Sequence, residues 1–215
     1  MSARDSQHAG RLRLRHLLEH TEAVGEEMAE ERPRFERLAD PTAAPRVVSA
    51  FNLFQTPEPL ALRAAGLFDT FGRTLEPSAG LGRLYRALRA RSSDCHISLV
   101  EQAAECCAEL YRAIEGDAAA SLVQADFLTC DAARLGGLFD SILMNPPFKM
   151  GRDIKHIEHA RTLLAPRGKL VSFCAAGPKQ RAKLQPFADE WHDLPGDSFK
   201  SEGTHVNAAI VVFNA

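Results

Sequence analysis

Residues 146 and 147 are both proline, and they come directly after a mostly apolar run, Phe139-Asp140-Ser141-Ile142-Leu143-Met144. Each proline lacks an N–H and fixes φ at about −65°, so a strand formed by that run must stop at Asn145. The turn then presents three groups together: the side-chain amide of Asn145, the carbonyl of Pro146 and the ring of Phe148. Such a set suits a flat molecule carrying an NH₂ group. The amide oxygen and the carbonyl can accept its two hydrogens, and the ring can stack on its face. Taken alone, the stretch reads equally as a strand closed by a Pro-Pro turn.

Three earlier segments end in the same manner. A short strand ending at Glu76 runs into Pro77-Ser78-Ala79-Gly80-Leu81-Gly82, followed by a helix through Leu84, Leu88 and Arg91. Glycines there let the backbone approach a ligand closely. The loop is not the dinucleotide pattern, because Arg83, Leu84 and Tyr85 follow without a third glycine. Cys95–Glu101 reads as a second strand, with Glu101 at the place where a carboxylate commonly holds ribose hydroxyls, about 20 residues after such a loop. Glu101 can equally serve the dipole of the helix that follows Gln102. Within that helix Cys106 and Cys107 read as packing residues. The third strand, from Ser121, ends in Asp126-Phe127, a carboxylate and a ring able to meet the amino group and the face of an adenine, or else a turn Asp and a core Phe.

In an open α/β sheet, ligands bind outside the carboxyl ends of the strands, and Glu76, Glu101, Asp126 and Asn145 would all stand along that edge. Beyond Lys149, Asp153 is expected to cap a helix with Ile154, Ile157, Ala160, Leu163 and Leu164 inward. His156 and His159 fall on its other face as surface or substrate-side residues, with no ligand set to complete a metal site. Pro166-Arg167-Gly168 reads as a turn into a fifth strand, Lys169–Cys174. A helix over Lys179–Trp191, broken near Pro186, and two strands, Asp193–Phe199 and Val206–Phe213, complete the chain. This alternation predicts an α/β protein with a seven-stranded, mostly parallel sheet, an antiparallel last strand and helices on both faces.

Asn145-Pro146-Pro147-Phe148 resembles motif IV of the S-adenosylmethionine-dependent amino-methyltransferases, which modify the exocyclic nitrogen of adenine, less often that of cytosine, or a glutamine amide. The Glu76 to Gly82 loop resembles motif I of that family, Gln55-Thr56-Pro57 its motif X, Asp126-Phe127 its motif III, and Ser198-Phe199-Lys200 to Gly203-Thr204 its motif VIII. The resemblance covers about residues 51–213 in unpermuted order. It implies a Rossmann-like class I methyltransferase fold with S-adenosyl-L-methionine as cofactor. It further implies that Thr56, Glu76, Ser78, Ala79, Gly80, Gly82, Glu101, Gln102, Asp126, Phe127 and Asn145 contact the cofactor. Asn145, Pro146, Pro147 and Phe148 would form the catalytic turn, and Phe148, Lys149 and Phe199 would hold the substrate, with Phe199 equally open to a core role. Thr56 can also be read simply as a helix cap before Pro57.

The implied reaction is methylation of the amino group of adenine in DNA or RNA. A glutamine methyltransferase shares Asn-Pro-Pro but more often ends the motif in Tyr, and a cofactor-binding scaffold without turnover is a third reading. Only 18 residues separate Asp126 from Asn145 and little follows Thr204, which leaves no room for a target-recognition domain. That suits a structured RNA, a single strand, or a partner that supplies recognition.

Composition bounds the remainder. With 215 residues, 45% hydrophobic and 25% charged, the chain is long enough for one substantial globular domain and an appendage. No apolar run reaches the roughly 18 residues of a membrane span, and the polar start lacks a signal-peptide core. Five cysteines without a Cys-x-x-Cys pair argue against zinc or a disulfide framework and fit a reducing cytoplasm. A net charge of −2 confines nucleic-acid contact to a local patch or a partner-assisted one. From Arg11 to Arg32 the pattern is helical, basic at Arg11, Arg13, Arg15 and His16 and acidic later, an order opposed to the helix dipole. It reads as a solvated helix, or alternatively as a phosphate contact. Prolines 33, 41 and 45 then separate an N-terminal helical extension, 1–45, from a catalytic domain, 46–215. The sequence leaves the oligomeric state open.

Overall fold

The structure, a computed structural model, describes residues 55–215. The helix expected from Arg11 to Arg32, its Arg11–His16 cluster and the 1–45 extension lie outside the described residues. In chain order the described elements are α1 (Glu58–Ala65), β1 (Thr74–Glu76), α2 (Arg83–Arg91), β2 (Ile97–Glu101), α3 (Ala104–Ala113), β3 (Ala120–Gln124) and β4 (Phe139–Met144). They continue as α4 (Arg152–Arg161), β5 (Leu164–Ala175), α5 (Pro178–Lys183), β6 (Glu190–Asp193) and β7 (Ala208–Asn214), with short 3-10 turns at Phe127–Thr129, Lys149–Gly151, Gln185–Phe187 and Lys200–Glu202.

The strands form one sheet in the order β3-β2-β1-β4-β5-β7-β6. Pairing is parallel from β3 through β5, while β7 runs antiparallel to both β5 and β6. This is the expected Rossmann-like class I methyltransferase architecture, antiparallel last strand included. The chain lays down β1, β2 and β3 outward in one direction, then returns to place β4 on the other side of β1. The strand order therefore reverses between β1 and β4, where Glu76 ends one strand and Asn145 directly follows the other.

Both faces of the sheet are covered, and successive strand residues serve opposite cores. Leu99 and Leu143 join the cluster with Ala61, Ala64, Leu84, Leu88 and Leu110, whereas Val100 and Ile142 join the one with Ile154, Ile157 and Ala160. This explains why β2 and β4 are nearly uninterrupted apolar runs rather than alternating ones. Each fully buried Leu or Ile contributes about 1.5–3 kcal/mol.

Several elements differ from the sequence reading, among them β3, which stops at Gln124 rather than running to Asp126-Phe127. The expected turn at Pro166-Arg167-Gly168 lies within β5, where the register with β4 slips between Phe139 and Ser141 and Arg167 takes φ 68°. The expected Lys179–Trp191 helix ends at Lys183, because Pro186 opens a 3-10 turn and residues from Glu190 have already joined the sheet. The sixth strand is accordingly Glu190–Asp193, and the apolar Leu194 and Phe199, expected in a strand, are buried from a turn-rich segment instead.

All five cysteines are free and buried. Burial, with nearby carboxylates such as Glu101, pushes the Cys106 thiol up to about 12, and burial likewise raises Cys107, Cys130 and Cys174.

Candidate active site

The turn after β4 lies as the double proline requires. Asn145 is half-buried, Pro146 buried, and Phe148 is partly covered, its ring set edge-on to Phe199 at 6.3 Å between centroids. Phe199 in turn meets Phe173 edge-on at 6.0 Å, so it is at once a core residue and part of the wall that Phe148 faces. Asn145 donates through Nδ2 to the Thr56 hydroxyl at 3.0 Å, across 89 positions of sequence. The carbonyl oxygen of the same amide consequently points away from Thr56. Thr56 does not cap α1: the N-cap residue is Pro57, which no side chain caps, and the buried Thr56 hydroxyl is committed to Asn145 instead.

Two adjoining hollows open along this edge of the sheet. The smaller is lined by Gln55, Thr56, Glu76, Ala79 and Arg83, with Ser78, Gly80 and Asn145 shared between the two. Glu76 is 1% exposed, and its Oε2 has no hydrogen-bond partner among the described residues. Burial raises its pKa well above the usual carboxylate range, and the Glu101 charge adds to this, while Arg86 opposes it. An orphaned carboxylate oxygen at a hollow suits an ammonium group, which would restore its charge and its hydrogen bond. Gln55 holds Arg83 Nε at 3.1 Å across the same hollow.

The larger hollow, of about 740 Å³, reaches from Glu101, Gln102, Asp126 and Phe127 past Asn145 and Phe148 to Phe199 and Thr204. That volume lies in the range of small-molecule and cofactor sites, about 300–1,000 Å³. Glu101 is fixed at the end of β2 by two backbone donors, Gly80 N to Oε2 and Ala103 N to Oε1, each at 2.8 Å. A carboxylate retains further lone pairs beyond these, enough for two hydroxyls. Asp126 lies past the end of β3, which stops at Gln124. Its Oδ1 accepts from Leu128 N at 3.0 Å, and Arg152 stands 3.9 Å from its Oδ2.

The hollows thus bring together all the residues expected at the cofactor and substrate except Gly82. Gly82 is the left-handed residue (φ 76°) that starts α2, and a Cβ there would meet Leu110 at 3.0 Å. Several further residues line the hollows. Gln55 and Arg83 adjoin expected positions directly. Arg152 and His156 come from one face of α4, one turn apart. Of the two places expected for His156, surface or substrate side, it takes neither an exposed position nor the outer face: it is 4% exposed and borders the larger hollow, on the inward row with Asp153 and Ile157, a spacing the sequence displays. Among the described residues no group of His, Cys, Asp and Glu could hold a metal ion, and no helix is long and apolar enough to cross a membrane.

The methyltransferase small domain family matches residues 62–187. No curated protein matches the chain in sequence. Among solved structures, the N-methyltransferase NodS from Bradyrhizobium japonicum in complex with S-adenosyl-L-homocysteine is similar with a TM-score of 0.57 at 16% identity, over 86% of this chain and 97% of that one. The 23S rRNA methyltransferase ErmE is similar with a TM-score of 0.56 at 17% identity, over 74% and 68%. Precorrin-6y C5,15-methyltransferase from Geobacter metallireducens is similar with a TM-score of 0.54 at 12% identity, over 78% and 93%. At such identities these likenesses speak to the fold, and the family match carries the assignment: the chain belongs to the methyltransferase small domain family, enzymes that take their methyl group from S-adenosyl-L-methionine.

Proposed function

We propose that this methyltransferase acts on the exocyclic amino group of adenine in DNA or RNA. The observation that carries the reading is Asn145-Pro146-Pro147-Phe148 at the end of β4, opening on the large hollow with Phe148 facing Phe199. An aromatic amine is a weak nucleophile because its lone pair is delocalised into the ring. Hydrogen bonds from its two hydrogens to Asn145 Oδ1 and the Pro146 carbonyl draw the nitrogen towards tetrahedral geometry and return the lone pair to it. Thr56 supports this by holding Asn145 Nδ2, which turns the acceptor oxygen away from itself. Phe148 stacks on the base, with Phe199 behind it and Lys149 at the lip. The bound cofactor supplies an electrophilic methyl group on a sulfonium. Glu76 receives its ammonium, Thr56, Ser78, Ala79 and Gly80 line the amino-acid end, and Gly82 shapes the loop from behind. Glu101, beside Gln102, takes the ribose hydroxyls, and Asp126 and Phe127 take the base. The chain's contribution is positioning and electrostatics, with no covalent intermediate. A base within a duplex would have to be flipped out first, and the net charge of −2 restricts nucleic-acid contact to a local patch or a partner-assisted one.

The test is to incubate the protein with methyl-labelled S-adenosylmethionine and separate pools of DNA, RNA and cell protein, alongside Asn145→Ala. Label is expected in one nucleic-acid pool, recovered as N6-methyladenine. It should fall by about 100-fold or more in the variant, while affinity for S-adenosylhomocysteine changes only a few-fold. Label confined to protein would overturn the reading in favour of a glutamine acceptor. Intact cofactor binding with no label in any pool would also count against it.

A further inference from the structure

His156 is buried at 4% exposure, and neither of its ring nitrogens has a hydrogen-bond partner among the described residues. His159, one turn further along α4, is settled: its Nε2 lies 2.8 Å from the Cys130 carbonyl and its ring meets Phe127 edge-on. His156 has no such use in the core. A buried imidazole with both nitrogens unpaired costs stability that a leucine of similar size would not. The side chain borders the large hollow, its ring 5.7 Å from that of Phe127, so a ligand in the hollow can supply the missing partner.

The position says which part of a ligand. Phe127 and Asp126 follow β3, at one edge of the sheet, with β2 and β1 between β3 and the Asn145 turn that ends β4. His156 therefore serves the cofactor-base end of the hollow, away from Phe148 and Phe199. At that end Asp126 can only accept hydrogen bonds, Leu128 N is already spent on Asp126 Oδ1, and the Arg152 guanidinium stands against Asp126 Oδ2. A purine edge carries ring-nitrogen acceptors as well as amino donors. A neutral imidazole offers one donor and one acceptor, which complements what Asp126 lacks.

We propose that His156 is a specificity-determining hydrogen-bond partner for the purine edge of the cofactor, pairing with Asp126 to distinguish an adenine from other bases. Rotation about its Cβ–Cγ bond is the movement that presents a nitrogen to the bound purine. The proposal rests on the cofactor-binding reading of the site above, but not on the identity of the methyl acceptor.

The test is calorimetric titration of the full chain with S-adenosylhomocysteine and with its deaminated analogue, S-inosylhomocysteine, for wild type, His156→Leu and His156→Gln. Thermal unfolding of each is followed with and without ligand. Wild type should prefer the adenosyl ligand. His156→Leu should unfold at a higher temperature than wild type without ligand, yet bind S-adenosylhomocysteine about tenfold more weakly and discriminate less between the two ligands. His156→Gln, which keeps a donor and an acceptor, should recover part of the preference, and it carries the comparison if His156→Leu fails to fold. Binding of S-adenosylhomocysteine by His156→Leu within twofold of wild type, with the adenosyl preference unchanged, would overturn the inference and leave the cofactor site standing. Failure of the wild type to bind S-adenosylhomocysteine would remove the cofactor-binding reading and this inference with it.

Discussion

The Asn145 amide and the His156 ring meet the same hollow with opposite constraints. Asn145 is anchored through Nδ2 to Thr56, a residue that precedes the first described helix, so its acceptor oxygen is oriented before any substrate arrives. His156 is unanchored, and its environment decides its charge. Burial, reinforced by the Arg152 cation and by His159 and opposed by Asp126, lowers its pKa to about 4 from an ordinary 6.5. In the unfolded chain the ring takes up a proton near its ordinary value, while in the native chain it stays neutral. The unfolded state thus binds more protons between those limits. Stability from this source is complete above pH 6.5 and is lost as the pH falls towards 4, amounting to roughly 3 kcal/mol. Urea unfolding across pH 7.5 to 4.5 should show wild type losing stability more steeply than His156→Leu over this window. Parallel slopes for the two proteins would contradict the buried neutral ring. The carboxylates of Asp117 and Asp193, whose hydrogen bonds lower their pKa values, titrate in both proteins and cancel in the comparison.

Among the elements, β5 carries the least obvious constraint. Its register with β4 advances from Phe139↔Leu164 to Ser141↔Lys169, so three extra residues are taken up on β5 within the pair. Gly168 sits in that bulge, where a Cβ would lie 2.8 Å from the Ala165 carbonyl oxygen and 2.9 Å from that of Phe139. Neither is a flexible side-chain end. Gly168→Ala should therefore destabilise the protein by about 1–3 kcal/mol, measured as a lower urea midpoint with an unchanged slope; an unchanged midpoint would mean the bulge can open. The sequence shows why this feature was hidden. Pro166-Arg167-Gly168 has the composition of a turn, and only pairing across the sheet reveals that the strand continues through it. The same holds for Glu190–Asp193, a short edge strand with no apolar alternation, paired on one side only by β7. In contrast, the strands ending at Glu76, at Glu101 and just before Asn145 were legible, because apolar runs there stop at glycine, acidic or proline residues whose backbone preferences are strong. Asp126 was legible as a residue but not as a strand end, since β3 stops at Gln124 and the chain turns into a 3-10 segment that Asp126 itself caps. For His156 the surface and substrate-side readings stayed open because the spacing from Asp153 to Ile157 is in the sequence, but only the burial of Asp153, accepting from Ala175 N and Gln180, marks that row as inward.

Taken as a molecule, the protein gathers its polar ligands along one edge of the sheet and leaves the two covered faces to hydrocarbon. Its five cysteines belong to that interior, and none is paired. Cys106 borders the larger hollow, while Cys174 lies on β5 in the core beneath α4. A thiol must ionise and be reached before it can attack an electrophile, and these thiols are held neutral and covered. Alkylation of the native protein at pH 8 then becomes a clock: each modified sulfur records that its surroundings opened. S-adenosylhomocysteine should slow the labelling of Cys106 in proportion to its occupancy, whereas Cys174 should follow the opening of the whole sheet, with mass spectrometry assigning each adduct. Labelling of all five at the rate of a free thiol would contradict the buried arrangement. A chain with no disulfide and no metal site among its described residues thereby carries its own internal reporters of how tightly the cofactor shuts the fold.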